Sequence, residues 1–171
     1  DRIVHLKVKD ESGTPIAGAA VECFDQPRTD LRSGVTDASG AVTFTGIHFD
    51  AAMLGVRLPH AEYVSGTGFD QKITTPGDAR ESTHEFTMVR AGVLKGKITA
   101  AAGGGVQGAR VFVGENYSDA APQDSSMHGG GYLIRGVRAG AATVTVHASG
   151  YAPELKEIEV RAGTETTLDV A

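Results

Sequence analysis

The chain has 171 residues, of which 40% are hydrophobic and 22% charged, a balance typical of a globular protein rather than a disordered one. Its net charge is −5 with lysines and arginines scattered singly, which argues against nucleic acid as a partner. Apolar runs fall short of the roughly 20 residues of a membrane span, so no membrane insertion is expected, and the single Cys23 allows no internal disulfide.

Turn residues alternate with short apolar stretches from the N-terminus onwards. Glycine accounts for 23 residues, standing singly or in short clusters, and helical periodicity is nearly absent. The first strand is predicted to end at a tight turn within residues 10–16, and residues 18–23 alternate in the manner of a second strand. This alternation places Cys23 on the same face as Val21, as a small buried side chain. Residues 36–40 predict a hairpin turn that leads into a strand at 42–44.

The same order of glycines and apolar residues returns 90 positions later. The matched pairs are Val8 and Ile98, Gly13 and Gly103, Gly18 and Gly108, Val21 and Val111, Gly40 and Gly130, and Gly46 and Gly136. No gap is needed over this stretch, so the sequence predicts two tandem copies of one module, residues 1–90 and 91–171.

The second copy repeats the strand order and adds clear strands of its own. They are predicted at residues 92–98, 109–113, 132–134, 142–147, 157–160 and 167–170. The copies diverge in two loops, 59–79 in the first and 114–131 in the second. Loops on a β-sandwich usually carry its function.

The pattern resembles the carboxypeptidase regulatory-like domain. In the first copy the resemblance rests on Gly13, Pro15, Gly18, Ala19, Val21, Thr36, Asp37, Gly40, Gly46 and Ile47, and in the second on Gly108, Ala109, Val111, Ser126, Gly130, Tyr132, Gly136, Val137, Gly140, Gly150 and Tyr151. It implies an all-β chain of two seven-stranded Greek-key sandwiches, Ig-like or transthyretin-like, serving as accessory modules of secreted or cell-envelope proteins. In the second copy Met127-His128-Gly129 replaces the usual acidic turn, so this turn is not expected to bind calcium.

No catalytic centre, cofactor site or metal site is predicted. The histidines (His5, His48, His60, His84, His128 and His147) never fall two to four residues apart, as metal ligands often do. The enzymatic branch of the transthyretin-like fold ends in Tyr-Arg-Gly-Ser, whereas this chain ends in Leu168-Asp169-Val170-Ala171. Calcium remains an alternative explanation for acidic residues in predicted loops, against their more ordinary use in forming turns. These residues are Asp10, Glu11, Asp37, Asp50, Asp119 and Asp124.

The candidate contact residues for a ligand or partner lie in the two divergent loops. They are Tyr63, Asn116, Tyr117, Asp119, Asp124 and His128. Asn116-Tyr117-Ser118 fits the glycosylation acceptor pattern, which supports an exposed loop. Tyr63 and Tyr117 are the aromatics expected to be exposed to a sugar, although aromatics are 6% of the chain and tryptophan is absent.

These observations favour a non-catalytic spacer, scaffold or protein-binding segment. We expect it to be part of a larger bacterial protein that is secreted, periplasmic or on the cell surface. The alternative is a carbohydrate-binding accessory module of a surface or secreted enzyme, so the expected partner is a protein or a polysaccharide. An edge strand would offer a protein partner unpaired backbone groups.

Overall fold

The computed structural model describes residues 2–25, 30–47, 53–57, 60, 62–66, 70–74, 79–119 and 121–171, with the backbone alone at 53–57 and 70–74. The described residues form β-strands and no helix. None of them therefore belongs to a helix able to span a membrane. The chain divides into two compact units, Asp1–Val89 and Arg90–Ala171.

The first unit contains two sheets of four strands each. Its strands are β1 (Arg2–Asp10), β2 (Ala20–Phe24), β3 (Leu31–Val35), β4 (Ala41–Ile47), β5 (Met53–Arg57), β6 (Tyr63–Ser65), β7 (Asp70–Thr74) and β8 (Glu81–Arg90). One sheet has the order β4-β1-β8-β6 and the other β3-β2-β5-β7. Strands β1 and β8 run parallel, from Ile3 opposite Glu81 to Asp10 opposite Met88.

The second unit has the same arrangement with one strand fewer among the described residues. Its strands are β9 (Gly92–Lys97), β10 (Arg110–Val113), β11 (Gln123–Ser125), β12 (Gly131–Val137), β13 (Gly140–His147), β14 (Glu154–Val160) and β15 (Glu165–Thr167). They form a sheet in the order β12-β9-β15 and a sheet in the order β11-β10-β13-β14. Strands β9 and β15 are parallel, as β1 and β8 are in the first unit.

The interpretation of residues 59–79 as a loop is wrong. This segment contains β6, which pairs with β8 at the edge of the β1 sheet. It also contains β7, which pairs antiparallel with β5, from Asp70 opposite Arg57 to Thr74 opposite Met53. These strands are hard to predict from the sequence because the segment is rich in glycine, proline and threonine, which are common in turns. Strand β6 is the addition that gives the first unit eight described strands against the seven of the second.

Each unit packs around its own hydrophobic core. The first core includes Val4, Leu6, Val8, Ile16, Ala19, Val21, Cys23, Phe44, Ile47, Phe86 and Met88. The second includes Leu94, Ile98, Ala109, Val111, Tyr132, Ile134, Val137, Val144, Val146, Ala148, Val160 and Val170. Alternate residues of the strands supply these side chains, and burying each large one contributes roughly 1.5–3 kcal/mol.

The prediction that Cys23 is a buried small side chain is confirmed. Cys23 lies in the first core with Val21 and is fully buried. Burial raises the pKa of its thiol to about 11, so the sulfur stays protonated and unreactive at neutral pH.

A buried hydroxyl ties two loops together in the first unit. The Oγ1 of Thr36 donates to the carbonyl of Ile16 at 2.7 Å and accepts from the backbone N–H of Ala19 at 2.9 Å. Thr36 is 4% exposed, so both bonds replace contacts with water that the buried backbone groups have lost.

Ser126 makes the corresponding bonds in the second unit. Its Oγ donates to the carbonyl of Val106 at 2.6 Å and accepts from the N–H of Ala109 at 2.8 Å. Each of these residues stands 90 positions after its counterpart around Thr36. The same hydroxyl chemistry therefore fixes the same junction in both units.

The two units stabilise their hairpin turns by different means. In the first, the carboxylate of Asp37 accepts hydrogen bonds from Ser39 and from the N–H of Ala41, which lowers the pKa of Asp37. In the second, methionine stands in place of this aspartate, and Gly129, with a φ of 85°, stands in place of Ser39. A side-chain cap from Asp37 in the first unit thus corresponds to a glycine with positive φ, Gly129, in the second.

Candidate functional site

A loop that follows β10 covers part of the outer face of the β11-β10-β13-β14 sheet. Val111 points into the core, so its neighbour Phe112 points to the opposite, outer face, yet Phe112 is only 5% exposed. The ring of Tyr117 meets the ring of Phe112 edge-on, with centroids 5.7 Å apart and an interplanar angle of 86°. Tyr117 thus shields an aromatic side chain that the core does not hold.

Three further contacts fix the position of this loop. The guanidinium of Arg110 lies 4.6 Å from the centroid of the Tyr117 ring, a cation–π arrangement. The hydroxyl of Tyr117 donates to the carboxylate of Asp119 at 2.5 Å. On β13, the Oγ1 of Thr145 donates to the carbonyl of Gly114 at 2.6 Å. Tyr117 nevertheless remains 46% exposed, so part of its surface is available to a partner.

The strand register places more exposed side chains beside Tyr117. His147 lies opposite Arg110, and Thr145 lies between Phe112 on β10 and Leu155 on β14. His147 is exposed, and Leu155 is 53% exposed although it is aliphatic. We refer to Arg110, Phe112, Tyr117, His147 and Leu155 as the outer face.

Two other predicted contact residues accompany Tyr117 in its loop. Asn116 and Asp119 are both exposed, as the glycosylation pattern suggested. The carboxylate of Asp119 is held by the Tyr117 hydroxyl. These two residues can therefore contribute to the rim of the outer face.

Asp124 holds the two sheets together at their edges. One carboxylate oxygen accepts from the N–H of Leu133 on β12 at 2.8 Å, and the other accepts from the N–H of Ser125 at 2.8 Å. Strands β11 and β12 belong to different sheets, so this carboxylate closes one side of the sandwich. Its observed contacts are structural.

His128 and Tyr63 do not join Tyr117. His128 is exposed on the turn that follows β11, whereas the loop of Tyr117 precedes β11, so they lie at opposite ends of that strand. Tyr63 belongs to the first unit. The expectation that it is exposed in a loop is wrong, because it lies in β6, packs partly buried against the first core and meets the His60 ring at 5.1 Å.

Four of the acidic residues suggested as calcium ligands, Asp10, Asp37, Asp119 and Asp124, form local hydrogen bonds. The carboxylate of Asp10 accepts from Ser12 and from the N–H of Thr14, in the same way that Asp37 caps its own turn. Across the described parts of the chain, no group of three or more His, Cys, Asp and Glu side chains could hold a metal ion. Asp50 lies outside the described residues.

The outer face offers chemistry suited to binding. It combines an aromatic ring, a guanidinium, an imidazole and an aliphatic side chain on one sheet, and the first two of these groups are enriched at the centre of protein interfaces. Sequence reasoning missed Arg110, Phe112, His147 and Leu155 as contact residues. Leu155 lies outside the predicted strand 157–160, and which strands are neighbours depends on tertiary pairing that periodicity does not show.

The family model for the carboxypeptidase regulatory-like domain matches residues 93–171, which lie within the second unit. The resemblance inferred from the sequence is thus supported for that segment. No curated protein sequence matches the chain.

Solved structures similar to this chain include three bacterial proteins. A streptococcal ancillary pilin is 14% identical with a TM-score of 0.48, over 99% of this chain and 62% of that one. The Bacillus anthracis TIE protein is 14% identical with a TM-score of 0.44, over 99% of this chain and 33% of that one. GBS52, a minor pilin of Streptococcus agalactiae, is 11% identical with a TM-score of 0.43, over 99% and 94%. This chain thus spans less than two thirds of the first two proteins. All three TM-scores are below 0.5.

Proposed function

We propose that this chain is a non-catalytic structural and interaction segment of a larger secreted or cell-surface protein, built from two copies of one β-sandwich module. In this proposal the first copy acts as a spacer or scaffold, and the second presents its outer face to a partner protein. The observation that carries the proposal is the outer face itself, where Tyr117 and Leu155 stay about half exposed beside Arg110 and His147.

The duplication is supported by bonds that recur 90 positions apart. Thr36 and Ser126 make equivalent pairs of bonds, and the backbone bond from Val8 to Gly40 recurs from Ile98 to Gly130. Glycines with positive φ recur at the same interval, at 13 and 103, 18 and 108, 40 and 130, and 46 and 136. A common ancestor module explains why two units with divergent surfaces keep these contacts.

Binding suits the outer face better than catalysis because two of its polar groups, those of Arg110 and Tyr117, already have partners. The guanidinium of Arg110 rests on the Tyr117 ring, and the Tyr117 hydroxyl is bonded to Asp119. Such contacts hold a surface in one shape before a partner arrives, which reduces the entropy lost on binding. The description of the matched family as regulatory-like agrees with an accessory role.

Site-specific crosslinking tests this proposal. A photoreactive amino acid is placed at position 117 or 147 of the parent protein in the producing cells, and at Lys7 or Glu81 on the first unit as controls. We expect one partner to crosslink from positions 117 and 147 and not from the controls, and the purified partner to bind the intact chain but not a Tyr117→Ala/Leu155→Ser variant. Crosslinking at all four positions alike, or unchanged binding by the variant, would contradict the proposal.

A separate experiment tests the alternative, in which the chain binds a carbohydrate. Co-sedimentation with insoluble peptidoglycan, cellulose and chitin measures polysaccharide binding directly, with the Tyr117→Ala variant as the control. Because Arg110 covers one part of the Tyr117 ring, we expect no retention on these polymers. Retention that is lost in Tyr117→Ala would replace the protein partner by a polysaccharide.

A further inference from the structure

Strand β14 is an edge strand whose form suits the addition of another strand. It is the last strand of the β11-β10-β13-β14 sheet, so β13 pairs with one of its edges only. The pairing runs without a break over its whole length, from Gly140 opposite Val160 to Val146 opposite Glu154. Such a regular edge carries a row of unpaired backbone donors and acceptors, which an extended peptide can use.

The other edges of the second unit are shorter or interrupted. Strands β11 and β15 have three residues each. Strand β12 has an irregular register between Ile134 and Val137, and the N–H of Leu133 is already bonded to the carboxylate of Asp124. Among the described strands of this unit, β14 is thus the long edge without a bulge or a side-chain cap.

The charges of β14 indicate what kind of strand would pair with it. Its exposed side chains are Leu155, Glu157 and Glu159, which alternate and therefore lie on one face. On the opposite, inward face of β14, Glu154 forms an ion pair with Lys156 at 2.5 Å. The edge is therefore acidic on its exposed side, with one aliphatic position.

A second copy of the chain is a poor occupant of this edge. Two β14 strands that pair antiparallel with their exposed faces on the same side have three registers of long overlap. These registers place Glu157 opposite Glu157, Glu157 opposite Glu159, or Lys156 opposite Lys156 of the other copy. Each of them sets like charges directly opposite each other, which is destabilising.

A shallow pocket lies where β14 begins. It has a volume of about 120 Å³ and is lined by core side chains such as Val146 and Val170, with Tyr151, Ala152 and Glu154 around it. Tyr151 is 53% exposed. A strand running along β14 would bring an inward-facing side chain to this pocket, and the pocket's size suits one aliphatic group.

We propose that β14 accepts an extended basic segment of a partner as an additional strand, with Lys or Arg facing Glu157 and Glu159 and one aliphatic side chain entering the pocket beside Tyr151. The inference rests on the proposed role as an interaction module and assigns the chemistry of the partner. Main-chain hydrogen bonds supply affinity, while the glutamates and the pocket select the sequence.

The test uses the full chain and the peptide acetyl-Lys-Val-Lys-Val-Lys-Val-Lys-amide, at concentrations where the peptide is monomeric. We expect saturable binding by calorimetry, with slowed amide exchange at residues 154–160. The acidic peptide with Glu in place of Lys, and the basic peptide with alternate backbone amides N-methylated, should not bind. Equal binding of the N-methylated peptide would show charge attraction without strand addition and would overturn the proposal.

Matched variants separate the edge from the overall charge. Glu157→Lys/Glu159→Lys should weaken binding of the basic peptide at least about tenfold and allow the acidic peptide to bind. Glu11→Lys/Glu62→Lys changes the charge of the chain by the same amount at exposed sites of the first unit and should bind the basic peptide normally. Equal losses in both variants would overturn the proposal. Because crosslinking at position 117 needs no peptide, a failure of peptide binding leaves the proposed outer-face function standing.

Discussion

The hydroxyl of Thr36 and that of Ser126 perform the same task with different side chains. Each donates to one backbone carbonyl and accepts from one backbone N–H, and both residues are nearly fully buried. The methyl group of threonine is not needed for these bonds, which explains why serine serves in the second unit. The oxygen atom is the part that matters, because without it one backbone N–H and one backbone carbonyl lose their hydrogen-bond partner.

We predict that Thr36→Ala destabilises the first unit by about 1–3 kcal/mol, since the N–H of Ala19 and the carbonyl of Ile16 would be left buried without a hydrogen bond. Ser126→Ala should have a similar effect on the second unit. Urea titration followed by hydrogen exchange of peptides from each unit measures the two effects separately.

The controls for this prediction are the reciprocal exchanges of hydroxyl residues. Thr36→Ser keeps both hydrogen bonds and should lose much less stability than Thr36→Ala. Ser126→Thr should likewise leave the bonds in place. If Thr36→Ser were as destabilising as Thr36→Ala, the methyl packing and not the hydrogen bonds would account for the loss.

At the scale of elements, the loop after β10 is ordered by its contacts with the outer face of the sheet. Tyr117 packs on Phe112 and beneath the guanidinium of Arg110, and Thr145 binds the carbonyl of Gly114. Aromatic and cation–π pairs at such exposed sites each contribute about 0.5–1 kcal/mol. The loop is therefore held by a few side chains.

Replacing Tyr117 tests this account. We predict that Tyr117→Ala speeds amide exchange across residues 114–119 and costs about 1 kcal/mol of stability in the second unit, because Phe112 becomes exposed and Arg110 loses the ring. Tyr117→Phe keeps the ring and loses only the bond to Asp119, so its loop should exchange nearly as slowly as in the unchanged chain. Slow exchange in Tyr117→Ala would show that backbone contacts alone order the loop.

Prediction from the sequence succeeded for features that depend on neighbouring residues alone, such as turns and the alternation of buried side chains along a strand. Gly13 and Gly40 adopt positive φ at turns, as glycine spacing indicated, and Val21 and Cys23 share the buried face that their alternation predicted. The structure reveals the partners that the sequence could not. Tyr63 enters the β1 sheet through β6, and Asp124 bridges to β12, because strand pairing joins residues far apart in sequence.

At the scale of the whole chain, the two separate cores allow the units to respond differently to pH. His84 stands on β8 of the first unit in phase with the core residues Phe86 and Met88. Its Nε2 is buried without a hydrogen-bond partner among the described residues. Burial lowers the pKa of His84 below its usual 6.5 because the charged imidazolium loses hydration.

This lowered pKa predicts that the first unit loses stability in mild acid. Below pH 6.5 the unfolded chain binds a proton at His84 more readily than the folded chain does. The free energy of unfolding of the first unit therefore falls as the pH decreases from 6.5 towards the pKa of His84 in the folded chain. We expect the urea midpoint of the first unit to decrease between pH 7 and about 5, as followed by exchange of peptides from β1 and β8.

A glutamine at position 84 isolates the contribution of the imidazole. His84→Gln stays neutral throughout this pH range, so the difference in unfolding free energy between this variant and the unchanged chain should shift in favour of the variant as the pH falls. His128→Gln serves as the control, because His128 is exposed on a turn of the second unit. A difference that stays constant with pH in His84→Gln would mean that the folded first unit accepts the proton at no cost. The acid response would then have to arise from other groups in that unit.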